Sequence, residues 1–141
     1  MNPKLRAFRE SDTPEVVALW ELCELTRPWN DPRKDIVRKL TVQPELFRVA
    51  VQGSRIIGTI MAGFDGHRGW VNYLAVHPDE RHRGLGRDLM NDVERRLLAL
   101  GCPKVNLQVR TTNTAALAFY EAIGYGRDDA VSLGKRIIPD A

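Results

Sequence analysis

Between Trp70 and Leu89 the chain runs from "WVNYLAV" into "HPDERHRGLGRDL", and this junction limits the fold more than any other stretch. Apolar residues on both faces of 70–76 suit a strand that lies inside a sheet and is covered on both sides. From Leu85 onward the period changes: Leu85, Leu89, Val93, Leu97 and Leu100 fall on one side of a helix, which stops at Gly101 with Pro103 just beyond. A central strand must therefore pass into a helix through Arg81, His82, Arg83, Gly84, Leu85, Gly86 and Arg87. The start of a helix presents unpaired backbone N–H groups at the positive end of its dipole. Gly84 and Gly86 carry no side chain to keep an anion away, and the arginines and His82 add positive field, so a pyrophosphate is the expected guest.

Two other phosphate loops fail on the letters. A Walker loop needs Lys-Ser or Lys-Thr after its last glycine, and a dinucleotide fingerprint needs a third glycine near Leu89; neither is present.

The other elements set the class. "KLRAF" reads as a first strand, and Val16, Leu19, Trp20 and Cys23 are spaced for an amphipathic helix. A second helix starts at Asp31 and Pro32 and carries Ile36, Val37 and Leu40 inward. "LFRVAVQGSRIIGTIMAGF" is a hairpin turning at Gln52, Gly53 and Ser54. "KVNLQVR" alternates, with Val105, Leu107 and Val109 on one face and Asn106, Gln108 and Arg110 on the other. A last helix spans about Asn113 to Ile123, and "YGRDDAVSLGKRIIP" holds one or two closing strands. This order predicts an α+β fold, a mixed sheet with helices on its faces, in one domain over residues 1–141.

Composition excludes several partners. A formal charge of +3 on 141 residues is too small for a basic stripe along nucleic acid, so no nucleic-acid partner is expected. No apolar run reaches the roughly 18 residues of a membrane span, and the amino terminus lacks a signal-peptide core, so no membrane partner is expected either. Cys23 and Cys102 lack metal-ligand spacing; a cytoplasmic protein without a metal is the reading.

The spacing Arg81-x-x-Gly84-x-Gly86 after "LAVHP" resembles the acyl-coenzyme A loop of the GNAT N-acetyltransferase superfamily. "NTAALAFYEAIGY" resembles that family's second motif, Asn-x(6)-Tyr-Glu-x-x-Gly-Phe/Tyr. Within the superfamily, "LTRPWNDP", "DGHRG", "YLAVHPDERHRGLG", "GCPK" and "VSLGKR" look like the YpeA-type bacterial acetyltransferases, which are related to the ribosomal-protein alanine acetyltransferases. The resemblance implies a GNAT fold, a mostly antiparallel mixed sheet of about six to seven strands flanked by about four helices. It also implies transfer of an acetyl group from acetyl-CoA to a primary amine, with an acceptor of unspecified identity, and it allows a homodimer.

By the same resemblance, Leu74, Ala75 and Val76 offer backbone groups to the pantetheine arm, and one of their amides polarises the thioester carbonyl. Residues Arg81 to Arg87 hold the pyrophosphate, by backbone or side chain. Asn113 sits near the pantetheine or caps its helix. Tyr120 is either the acid for the departing thiolate or part of the core. Arg27, Trp29, Asn30 and Asp31 form an acceptor-site lid, or Trp29 packs on the sheet edge.

Gln108 departs from the pattern. Related enzymes acting on protein amino termini carry a glutamate there as base, which leaves Asp65, His67 or Asp31 as candidates; Asp65 is equally a turn residue and Asp31 a cap. At pH 7 an α-amine of pKa near 8 loses about 1.4 kcal/mol by having to be neutral, and a lysine near 10.4 loses about 4.6 kcal/mol. A site without a strong base therefore favours an α-amine. A sensor that binds the coenzyme with little catalysis is the alternative, and Gln108 is its one support.

Overall fold

The computed structural model describes residues 2–140. Five strands form one sheet in the order β1 (Lys4–Ala7), β2 (Phe47–Gln52), β3 (Arg55–Phe64), β4 (Gly69–Val76) and β5 (Val105–Leu107). The first three pairings are antiparallel and β4 with β5 is parallel. Helices α1 (Thr13–Leu22) and α2 (Pro32–Lys39) precede β2; α3 (Leu85–Ala99) crosses from β4 to β5, and α4 (Thr114–Ala122) follows β5.

The sheet separates two apolar layers. On one face α3 lays Leu85, Leu89, Met90, Val93 and Leu97 against Ile57, Ile60, Ala62 and Val71. On the other, Val16, Leu19, Trp20 and Ile36 meet Phe47, Val49, Met61 and Ala75. The strand β3 is buried on both sides, which is why its sequence is a continuous apolar run. Between sheet and α3, Arg48 and Asp92 form a buried ion pair at 3.0 Å, extended by Arg96 at 3.3 Å.

Three expectations need correction. Val37 is 65% exposed and Leu100 50% exposed, because the helices turn only Ile36 and Leu97 into the core at those ends. The β5 ladder stops at Leu107, so Gln108, Val109 and Arg110 lie beyond it. Among the described residues no closing strand forms, and the sheet has five strands where six to seven were expected. With β5 only three residues long there is little edge for residues 126–139 to pair with, and side chains hold that segment instead. Lys104 meets Asp128 at 2.8 Å, Gln108 donates to Ser132, and Asp140 locks onto α2, leaving Val131, Leu133 and Ile137 more than 80% exposed.

Candidate active site

The pairing of β4 with β5 covers only Gly69, Trp70 and Val71, yet β4 continues to Val76. The two strands part there, and one edge of β4 is left open. The parting coincides with a bulge: Met61 faces Asn72 and Thr59 faces Ala75, so β4 carries one residue more than β3. Tyr73 absorbs it at a φ of 52°, a left-handed backbone costly for an aromatic residue. Its surroundings hold it. Trp20 stacks on the Tyr73 ring with centroids 3.8 Å apart, Trp20 Nε1 donates to Thr59 Oγ1 at 2.9 Å, and Thr59 Oγ1 donates to the Tyr73 carbonyl at 2.8 Å.

Beyond the bulge, the His77 amide donates to the Ile57 carbonyl on β3. Strand backbone groups alternate in direction, so those of Leu74 and Val76 face the open edge and those of Ala75 face β3. The Val76 carbonyl is taken by Arg81 Nε at 3.0 Å. The amides of Leu74 and Val76 point into the gap.

At the end of that edge the loop curls through His82 and Gly84, at φ 66° and 82°. The first helical bond of α3 runs from Asp88 N to Gly84 O, and no side chain caps the helix. The amides of Leu85, Gly86 and Arg87 are thus without helical acceptors, at the positive dipole end. The loop suits a phosphate. Arg81 is turned inward to Val76 and Cys23, while Arg83 pairs with Glu80 at 3.1 Å on the surface; His82 and Arg87 are exposed. Gly86 serves packing as well as access: a Cβ there would stand 3.1 Å from the Phe119 ring.

A cleft of about 1030 Å³ opens where the strands part, lined among others by Cys23, Arg27, Asn30, Asp35, Lys39, Tyr73, Leu74, Gln108, Asn113 and Tyr120. Asn113 also caps α4, accepting from Ala116 N at 3.1 Å. Burial pushes the Tyr120 phenol up to about 12, and its ring packs edge-on against Phe119.

The 27–31 segment, expected as a lid, divides. Asn30 donates to Asp35 at 2.6 Å and to the Tyr73 hydroxyl at 3.0 Å, and it accepts from Arg136. Trp29 is 57% exposed, under the Arg110 guanidinium at 5.8 Å. Asp31 takes the other role foreseen for it: it caps α2 through Arg33 N and does not line the cleft.

Asp65 and His67 stand outside the cleft too, in the turn between β3 and β4. Asp65 Oδ1 accepts from the amides of His67 and Arg68, which holds its carboxyl below the usual range and makes it a poorer base. The geometry gives neither a place beside the reacting groups.

Asp35, Tyr73, Arg38 and Lys39 were not foreseen. Asp35 Oδ2 accepts from Tyr73 at 2.7 Å and Asn30, and Oδ1 from Arg38 at 3.2 Å. Burial and Asp35 together raise the Tyr73 phenol well above its ordinary value. The one signal for Tyr73 was the pair Asn72-Tyr73 interrupting an apolar strand. For Asp35 there was none, because Tyr73, the partner that draws it to the cleft, lies 38 residues away.

An open strand edge that leads to a phosphate-suited loop fits a long ligand with a phosphate end. Comparison with known proteins narrows the class: residues 11–125 match the model of the acetyltransferase (GNAT) family, and the chain belongs to that family. "Acetyltransferase YE1169" of Yersinia enterocolitica is 50% identical over 137 residues, 97% of each chain. The Naa20 of Chaetomium thermophilum, solved in complex with a bisubstrate analogue, is 29% identical, with a TM-score of 0.73 over 87% of this chain and 70% of that one. AAC(6')-Iy, solved with a bisubstrate analogue containing coenzyme A, shares the fold at a TM-score of 0.77 and 16% identity, over 98% of this chain and all of the other. The protein is an acetyltransferase with acetyl-CoA as cosubstrate and an amine as acceptor. No described helix is long and apolar enough to cross a membrane.

Proposed function

We propose that the acceptor is an α-amine of a peptide or small molecule, which attacks the acetyl thioester directly while both substrates are bound. Acetyl-CoA supplies the acetyl group. The observation that supports the reading is the open β4 edge, where Leu74 lines the same cleft as Tyr120 and Val76 follows on the same unpaired edge. The amide of either can polarise the thioester carbonyl, and the loop 81–87 fixes the phosphates through the amides of residues 85–87.

Bond by bond, the amine nitrogen joins the acetyl carbon, the carbon–sulfur bond breaks, and sulfur leaves as thiolate. Tyr120 assists chiefly by hydrogen bonding. A phenol near 12 cannot hand its proton fully to a thiolate whose conjugate acid sits near 8.5, since that transfer runs uphill by about 5 kcal/mol. The proton that ends on sulfur is therefore supplied by the amine, through solvent. This leaves the acceptor's own acidity decisive. Gln108 cannot act as base, its amide nitrogen is engaged by Ser132, and Asp35 already receives three donors. An amine that deprotonates readily fits best.

Thiol release from acetyl-CoA tests this with α-amine peptides, amino-terminally blocked lysine peptides and small amines, at pH 6 to 9. The α-amines should react fastest, with rates rising toward the amine's own pKa; a lysine preference would overturn the α-amine reading. Tight coenzyme binding without turnover of any amine would leave the sensor. The free thiols of Cys23 and Cys102 suit a cytoplasmic setting. A second copy of the chain would add at the β1 edge of the sheet, which sedimentation at two concentrations would reveal.

A further inference from the structure

Lys39 ends α2 at the cleft wall, and only 9% of it is exposed. Its ammonium donates to the Ala62 carbonyl on β3, and no described carboxylate forms an ion pair with it. Desolvation lowers its pKa and Glu45 is the only charge that offsets this. An ammonium has three donors, so a carbonyl alone leaves a buried cation short of partners. The rest of the cleft does not supply the missing charge. Its lining sets Arg27, Arg38, Lys39 and Arg110 against Glu24 and Asp35, four cations to two anions. Both anions are poorly placed to help: Glu24 is exposed at the end of α1, and Asp35 is bonded to Arg38, Tyr73 and Asn30. Arg38 is further neutralised by Asp140 at 2.5 Å.

We infer that the acceptor carries a carboxylate or other acidic group near its amine, and that Lys39 receives that group. Resting on the acetyltransferase reading, this narrows the acceptor to amines such as peptides with an acidic residue next to the reacting terminus. Polycationic amines are disfavoured, because the cleft repels a second ammonium.

Calorimetry of the coenzyme A-loaded protein with three matched dipeptide amides, bearing aspartate, asparagine or lysine beside the free α-amine, tests it directly. The aspartyl ligand should bind roughly tenfold tighter than the asparaginyl one, and the lysyl ligand weakest. In Lys39→Gln the ratio of aspartyl to asparaginyl affinity should collapse toward one. Equal binding of the three by the unmodified protein, or a ratio unmoved by the substitution, would overturn the inference. Thiol release with the same peptides separates it from the reading beneath. Acid-selective binding without transfer leaves the acidic-group inference standing and removes the α-amine reading, and transfer without acid selectivity does the reverse.

Discussion

The two halves of the proposed site are built in opposite ways. The half proposed for the coenzyme is mostly backbone: the outward amides of β4 and the first turn of α3, contiguous within residues 74–87. The half proposed for the acceptor is mostly side chains, gathered from segments far apart. Asn30 and Asp35 meet Tyr73 across about forty residues, and Arg136 and Asp140 reach back to Asn30 and Arg38 across more than a hundred. A backbone-built site constrains shape and tolerates changes of side-chain charge. A side-chain-built site does the reverse. The first is suited to a ligand that does not change, the second to an acceptor that differs between relatives.

Tyr120 lies where the halves meet and should give the largest effect. Tyr120→Phe removes one hydrogen bond to a sulfur that is charged only as the bond breaks, so turnover should fall roughly ten- to hundredfold, while the KM for acetyl-CoA moves little. Steady-state kinetics decide it. An unchanged turnover would return Tyr120 to plain packing against Phe119 and Tyr125.

Gly86→Val attacks the backbone half by shape. Its β-carbon would press the Phe119 ring at 3.1 Å, forcing α4 away from the start of α3 at a cost of about 1–3 kcal/mol. Coenzyme affinity by calorimetry should drop about tenfold, with a lower thermal midpoint. If stability falls and affinity does not, Gly86 belongs to the core and the phosphate rests on other amides.

How much could be read in advance follows the same division. The junction at 77–89 was legible because period, glycines and helix start are local and all agree. The central strand, the hairpin at Gly53 and the caps Asp31 and Asn113 were legible for the same reason. Lys39 and Asp35 were not, since a helix of alternating charges reads as a solvated face until its packing against β3 is known. The missing closing strands show tertiary context overruling local pattern. Val131, Leu133 and Ile137 have strand character, but β5 ends too early to receive them.

The carboxy-terminal segment gives a smaller test on the acceptor side. Asp140 accepts from Asp31 N at 2.7 Å and from Arg38, and Arg38 holds its carboxyl down to about 2. A depressed pKa stabilises the docked segment above the ordinary carboxyl value near 3.9, and that support is lost as pH falls through about 2. Pepsin cleavage within 126–139 should therefore rise between about pH 4 and pH 2. Asp140→Asn should show the same release already at pH 4, with KM for the acceptor raised a few-fold at pH 7. Equal cleavage in both proteins would mean that Gln108, Lys104 and Arg136 hold the segment without the latch.

Arg83→Ala should do least, and that is why it sharpens the comparison. The side chain is mostly exposed and bound to Glu80, in the loop where a reader of the sequence would first look for a phosphate ligand. If the phosphates rest on amides, losing this guanidinium removes only a screened surface charge, worth under about 1 kcal/mol, and coenzyme affinity should change less than about fivefold. The small loss should also vanish as salt rises. A tenfold loss persisting at high salt would mean that Arg83 leaves Glu80 to grip phosphate directly, and the coenzyme half would then be built of side chains as the acceptor half is.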